Sequence, residues 1–290
     1  MKYDLPLFRP PSEAYSLIIQ VTLGCSHNKC TFCSAFKTKT FKIRTLDEVE
    51  ADLKEARKTH PYVGKIFLAD GDALILPTEY LLKLFSLIRK LFPECNRIGI
   101  YGSAKAINRK TLAELKQFGQ EGLGIIYLGL ESGNDQVLTN INKGVTADET
   151  IRAGLKVKEA GIPLSITIIS GMGSRELLRE HALDTARVLN AIDPDYLGLL
   201  ALMIVEGTPL FEQKQRGQFE VLTPKEIMAE TKLLLENLEL TNCVFRANHA
   251  SNYYPLMGTL PEDKPALLAL LDKIQNASPD VFKKDSHRLL

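Results

Sequence analysis

The sequence has few cysteines, no long apolar run and no excess of either charge. Thirty-six Lys and Arg stand against thirty-five Asp and Glu in 290 residues, a formal net charge of +1. So close a balance removes the chain-wide electrostatic footprint of a polyanion binder and disfavours nucleic acid as a partner, without excluding a local basic patch. No stretch approaches the eighteen or more apolar residues of a membrane span, and residues 1–11 lack the hydrophobic stretch of a secretory signal. The expectation is a soluble, cytoplasmic protein with no membrane partner. No internal repeat, low-complexity tract or clear linker divides the chain, and 45% hydrophobic content is enough for one large core.

Five cysteines do not make an even disulfide framework, and three of them fall within nine residues. A reducing compartment keeps such thiols for metal binding or catalysis. Cys95 and Cys243 stand alone, too few to supply three cysteine ligands to any further metal centre, and Cys95 reads as a buried core thiol.

Short apolar runs rich in β-branched residues alternate with helical patterns, the signature of βα units and a parallel sheet. Strands are predicted at 16–22, 65–69, 97–101, 125–130, 164–169 and 196–204. Helices are predicted at 45–59, 78–92, 108–120, 147–160, 175–190 and 224–238; Thr45 is placed to cap the first, with Glu48 completing a capping box. The fold class expected is α/β, an open (βα)6 partial TIM barrel. Residues 1–240 form this barrel with its N-terminal lead-in. Residues 241–290, where the rhythm breaks before a last helix near 265–275, form a C-terminal extension capping the barrel. The basic tail 283–288 reads as frayed surface.

The cysteine cluster Gly24-Cys25-Ser26-His27-Asn28-Lys29-Cys30-Thr31-Phe32-Cys33 directly follows the first strand, where α/β barrels carry their active-site loops. Three thiolates can bind three irons of a cubane and leave the fourth open to a non-protein ligand. A structural zinc site using Cys25, Cys30, Cys33 and a histidine is the alternative, but His27 is only two positions from Cys25, too close for the usual paired ligands.

In this arrangement the sequence resembles the radical-SAM superfamily, over about two hundred residues. Its usual loop is C-x3-C-x2-C, and here it is one residue longer, C-x4-C-x2-C. The resemblance implies that Cys25, Cys30 and Cys33 hold a [4Fe–4S] cluster and that Phe32 packs near the adenine of S-adenosyl-L-methionine (SAM). Asp70-Gly71-Asp72 stands where the family has Gly-Gly-Glu, which receives the methionine amino group. Gly129-Leu130-Glu131-Ser132-Gly133 is similar to a family segment whose Glu131 equivalent holds the ribose. Lys143, in Ile141-Asn142-Lys143-Gly144, is implied to pair with the SAM carboxylate. Ser170 and Gly171 parallel the turn that lets adenine approach the backbone, and Met203, in 202–205, completes the adenine wall. Glu206-Gly207-Thr208-Pro209-Leu210 resembles the Pro-Gly-Thr-Pro-Leu segment of coproporphyrinogen-oxidase-like members. The strongest signal is order, since these motifs arrive at successive strand ends.

Segment 245–254 packs Arg246, His249, Tyr253 and several amides into ten residues, a density that is costly to bury without partners. Arg246 is a candidate for binding a carboxylate or phosphate, and His249 and Tyr253 for proton transfer. The function expected is reductive SAM cleavage to a 5′-deoxyadenosyl radical that abstracts hydrogen from an unidentified substrate. The electron would come from an external one-electron donor of the flavodoxin or ferredoxin type. Radical methyl or sulfur-group transfer, and a non-catalytic metal-binding protein, are the alternatives.

Overall fold

The computed structural model describes residues 2–289. Its strands are β1 (Leu17–Gln20), β2 (Thr22–Leu23), β3 (Lys42–Ile43), β4 (Lys65–Ala69), β5 (Arg97–Tyr101), β6 (Leu123–Glu131), β7 (Leu164–Ser170), β8 (Tyr196–Ala201), β9 (Cys243–Ala247) and β10 (Leu256–Leu260). Its helices are α1 (Leu46–Thr59), α2 (Thr78–Leu91), α3 (Ala104–Arg109), α4 (Leu112–Gln120), α5 (Asp135–Asn140), α6 (Ala147–Glu159), α7 (Leu178–Ile192), α8 (Pro209–Gln215), α9 (Pro224–Glu236) and α10 (Lys264–Gln275). Eight strands are hydrogen-bonded in the order β1-β4-β5-β6-β7-β8-β9-β10, and β2 pairs with β3 separately. The fold class is α/β, as the alternation of periods predicts. Among the described residues no helix is long and apolar enough to cross a membrane.

The chain divides into two compact units. The first comprises residues through Asn28, Ala35–Leu128 and Ala153–Leu164; the second comprises Lys29–Ser34, Gly129–Arg152 and the chain from Ser165 onward. In the first, β1, β4 and β5 run parallel with Ile18 opposite Phe67 and Phe67 opposite Gly99. Ile18, Phe67, Ala69, Ile125 and Tyr127 form a core cluster. The rings of Tyr101 and Tyr127 meet Phe67 edge-on at 4.9 and 5.8 Å. Helix α1 starts at the predicted Thr45–Glu48 capping box. The helix predicted at 108–120 is instead two, because Thr111 caps α4 with Glu114 and breaks the path from α3.

In the second unit, β7, β8 and β9 are parallel and β10 returns antiparallel to β9. The segment beyond residue 240 therefore continues the strand order with β9 and β10 instead of leaving it. Its signal is short: only Cys243, Phe245 and Ala247 alternate inward. The tail is anchored, contrary to the frayed surface expected. Arg288 is buried and donates to the carbonyls of Ser251 and Leu202. Cys95 is half-buried, not a core thiol; its Sγ lies 3.6 Å from the Arg97 carbonyl, and burial raises its pKa.

Candidate active site

The turn after β4 is built around two buried carboxylates. Asp70 accepts from Lys39 Nζ at 2.9 Å, from Gly24 N at 3.0 Å and from Gln20 Nε2 at 3.2 Å. Asp72 accepts from Ser26 Oγ at 2.5 Å and from Ser103 N and Oγ, both at 2.9 Å. These donors tie the start of the cysteine loop to the β4 and β5 ends from both sides. Gly71 between them donates its N–H to the Gly24 carbonyl at 3.2 Å. A Cβ on Gly71 would lie 2.6 Å from the Phe36 ring and 3.1 Å from the Cys25 Cβ. Glycine here lets the turn pack directly against the first cysteine.

Cys30, Phe32 and Cys33 belong to the second unit and are half-buried. Two motifs singled out by sequence hold their backbone. Thr31 N donates to the Ile141 carbonyl at 2.9 Å, and Leu210 N donates to the Thr31 carbonyl at 3.0 Å. The Asn142 amide adds a bond to the Lys29 carbonyl at 3.1 Å. The Ile-Asn-Lys-Gly and Gly-Thr-Pro-Leu segments thus clamp the strip that carries Cys30 and Cys33.

Glu131 ends β6 with φ of 64°, a left-handed conformation that non-glycine residues adopt rarely. Its Oε1 accepts from Lys143 Nζ at 2.7 Å. A Cβ on Gly129 would sit 2.5 Å from that same Oε1 and 3.2 Å from Nζ, so Gly129 makes room for the pair. The two residues expected to hold different ends of SAM, the ribose and the carboxylate, are joined to each other in this structure.

Ser132 is buried and its Oγ lies 2.8 Å from His181 Nδ1. Ser170 Oγ and Gly171 N donate to Glu230 Oε1 at 2.6 and 2.7 Å. Met203 is half-buried just beyond β8. Sequence reasoning missed His181 and Glu230. The available signal was a carboxylate among the apolar positions of α9, beside Ile227, Met228, Thr231 and Leu234.

The C-terminal candidates are placed differently from one another. Arg246 is exposed, and its Nη1 donates to the carbonyls of Phe245 and Gly258 at 2.9 and 3.3 Å, so it braces the β9–β10 ladder. Tyr253 is buried; its hydroxyl donates to Asp285 at 2.9 Å and accepts from Arg288 at 2.6 Å. Burial pushes that hydroxyl up to about 12. In this structure both side chains are engaged by partners within the chain. His249 is half-buried, accepts from Ser251 N at 3.2 Å, and is held below its usual pKa by burial and then by Lys283.

None of Cys25, Cys30 and Cys33 is in a disulfide, and the two remaining cysteines lie elsewhere in the sequence. Three soft ligands without a fourth suit a cubane with one open iron. No three His, Cys, Asp or Glu side chains among the described residues converge on a single ion; a cubane instead asks for one thiolate per iron.

Among known proteins, an uncharacterised protein of Methanocaldococcus jannaschii is 23% identical over 238 residues, 78% of this chain and 72% of that protein. A tRNA uridine(34) acetyltransferase of Methanocaldococcus infernus is 25% identical over 114 residues, but the match covers only 39% of this chain and 21% of that enzyme. Coproporphyrinogen III oxidase from Escherichia coli, a radical SAM enzyme, superposes with a TM-score of 0.55 at 19% identity, covering 76% of this chain and 52% of that one. Methylornithine synthase does so at 0.52 and 18%, covering 78% and 63%. The chain thus spans from half to under two thirds of these solved chains and shares their α/β partial-barrel fold. The sequence profile of the Radical SAM superfamily matches residues 19–188. That match takes in the cysteine loop and every strand-end turn through Ser170-Gly171, and by it the chain belongs to the radical SAM superfamily.

Proposed function

We propose that Cys25, Cys30 and Cys33 each give one thiolate to a [4Fe–4S] cluster, and that the enzyme turns SAM cleavage toward hydrogen abstraction from a substrate. The observation that carries this reading is the close approach of Gly71 to Cys25, where an added Cβ would stand 3.1 Å from the cysteine Cβ. That packing sets the turn implied to bind the methionine end of SAM beside the first cluster ligand. When bound, the cluster supplies the electron that splits SAM into methionine and a 5′-deoxyadenosyl radical.

The residues of the chain do the rest. Because Asp70 and Asp72 are committed to donors within the protein, backbone carbonyls of their turn are the acceptors left for the SAM ammonium. Glu131 is the ribose acceptor, with Lys143 holding its carboxylate in place. Phe32, Ser132, Ser170, Gly171 and Met203 form the adenosine surround. His249, held neutral by burial, is the proton-transfer group of the C-terminal segment. The enzyme works in the cytoplasm with a flavodoxin- or ferredoxin-type electron donor.

The test is anaerobic reconstitution with iron and sulfide, reduction in the presence of SAM, and chromatography of the nucleoside product. Four irons per chain and 5′-deoxyadenosine from wild type but not from Cys30→Ala support the reading. One zinc per chain with SAM intact overturns it, and S-adenosylhomocysteine as the nucleoside product redirects it to methyl transfer.

A further inference from the structure

We propose that Glu230 and His181 are positioning residues, joining the Ser132-Gly133 turn and the Ser170-Gly171 turn into one buried hydrogen-bonded relay that presets both for SAM. The SAM part of this proposal rests on the reading of those turns given above; the relay itself does not.

Glu230 is 2% exposed and His181 3%. A carboxylate at that depth is retained only where partners hold it. Glu230 Oε1 accepts from Ser170 Oγ at 2.6 Å and from Gly171 N at 2.7 Å. His181 Nε2 faces the same oxygen from 3.7 Å, beyond direct hydrogen-bond reach. Glu230 Oε2 is buried with no hydrogen-bond partner. Glu230 also lines a small cavity of about 10 Å³ together with Ser170, His181 and Thr185 among others. That is the smallest space that takes one water, and its lining is polar enough to hold one. A single water there completes the carboxylate and bridges the gap.

The other end of the imidazole fixes the proton order. Ser132 Oγ already accepts from Asn134 N at 3.1 Å and lies 2.8 Å from His181 Nδ1. The order that satisfies every group runs from Asn134 N–H to Ser132 Oγ, from the Ser132 hydroxyl to Nδ1, and from Nε2–H toward Glu230. Each donor points the same way, ending on the carboxylate that grips Gly171, and such chains polarise cooperatively.

Glycines let the two helices carrying the relay come this close. A Cβ on Gly133 would stand 2.3 Å from the Asp184 carbonyl, one on Gly173 2.9 Å from the His181 Cβ, and one on Gly171 2.9 Å from Ile227. Gly133 N also donates to Thr185 Oγ1 at 2.9 Å. Helix α7 therefore packs directly on the Ser132-Gly133 turn and α9 on the Ser170-Gly171 turn. A ligand that meets turns already ordered loses less conformational freedom on binding.

The test has two arms on the reconstituted enzyme. Hydrogen exchange is followed in peptides covering 129–136 and 168–174 for wild type, Glu230→Gln, His181→Asn and Ser132→Ala. The relay predicts faster exchange in both peptides from each substitution, including at the turn the altered residue does not touch. Exchange that changes only beside the altered residue overturns it. In the second arm, SAM affinity is read from the electron paramagnetic resonance of the reduced cluster. Glu230→Gln and His181→Asn should each raise the SAM Kd about tenfold, in line with other supporting-residue changes, and the activity lost should be greater at limiting than at saturating SAM. Unchanged affinity in both variants would show that the relay does not serve SAM. Wild type that binds no SAM would sink the proposed function while the exchange arm still decides the relay.

Discussion

The guanidinium of Arg288 lies 3.9 Å from the Tyr253 ring centroid and donates to that ring's hydroxyl at 2.6 Å. Its other nitrogens donate to the Ser251 and Leu202 carbonyls at 2.6 and 2.7 Å. One residue, two positions before Leu290, thus fastens the loop after β9 to the chain just beyond β8. Arg288→Ala should lower unfolding free energy by about 2–3 kcal/mol, since hydrogen bonds to a charged group are lost and buried carbonyls are orphaned. Urea denaturation checks this. Arg288→Lys should recover only part of the loss, because a point charge cannot serve three directions with a planar fork.

Asp70 and Lys39 form an ion pair whose side chains are 0% and 4% exposed. Removing one member leaves the other buried and unmatched, so Lys39→Met should destabilise by about 3–5 kcal/mol. The double variant Lys39→Met/Asp70→Asn should be more stable than Lys39→Met alone. A denaturation cycle in which the two changes simply add would rule out the coupling.

Gly71→Ala should reduce iron uptake. The new methyl group meets the Phe36 ring and the Cys25 Cβ, and the side that yields will move the cysteine or the ring. Iron and sulfide analysis after reconstitution should give fewer than wild-type equivalents, and adding Phe36→Leu should restore part of them. Full iron loading of Gly71→Ala would show that the contact is slack.

Acid should weaken the C-terminal segment through His249. Burial and Lys283 lower its pKa from the ordinary 6.5. The unfolded chain therefore takes up a proton near 6.5 that the folded chain still refuses. Stability from this residue is present above about 6.5 and falls as pH drops from there through the lower folded value. Thermal melting between pH 7.5 and 5.5 should show a steeper decline for wild type than for His249→Asn.

Much of this was legible in the residues. Lys65–Ala69 and Arg97–Tyr101 are strands at the predicted bounds, because fully buried parallel strands read as continuous apolar runs. The Thr45 and Glu48 spacing marked the α1 start correctly. Other features depend on tertiary partners. Strand β9 is five residues long and exposes Arg246, so its period is too short to stand out. Lys143 looked like a ligand group, and nothing local announces that Glu131, twelve positions away, would claim it. The bonding of Tyr253 is not announced locally either, because its partners Asp285 and Arg288 lie more than thirty residues further on. Glu230 and His181 were invisible as a pair, because β8 and α8 lie between them in the chain.

Gly24 and Lys39, at the two feet of the cysteine loop, are both held by the Asp70 carboxylate. A loop rich in thiols cannot be stapled by a disulfide without spending the ligands it exists to present. Here a single buried acid closes the loop by hydrogen bonds, shortening the span that must order when metal arrives. Iron uptake should then resemble filling a socket more than folding a chain, with loss of the metal leaving the foot of the loop shut and ready to be refilled.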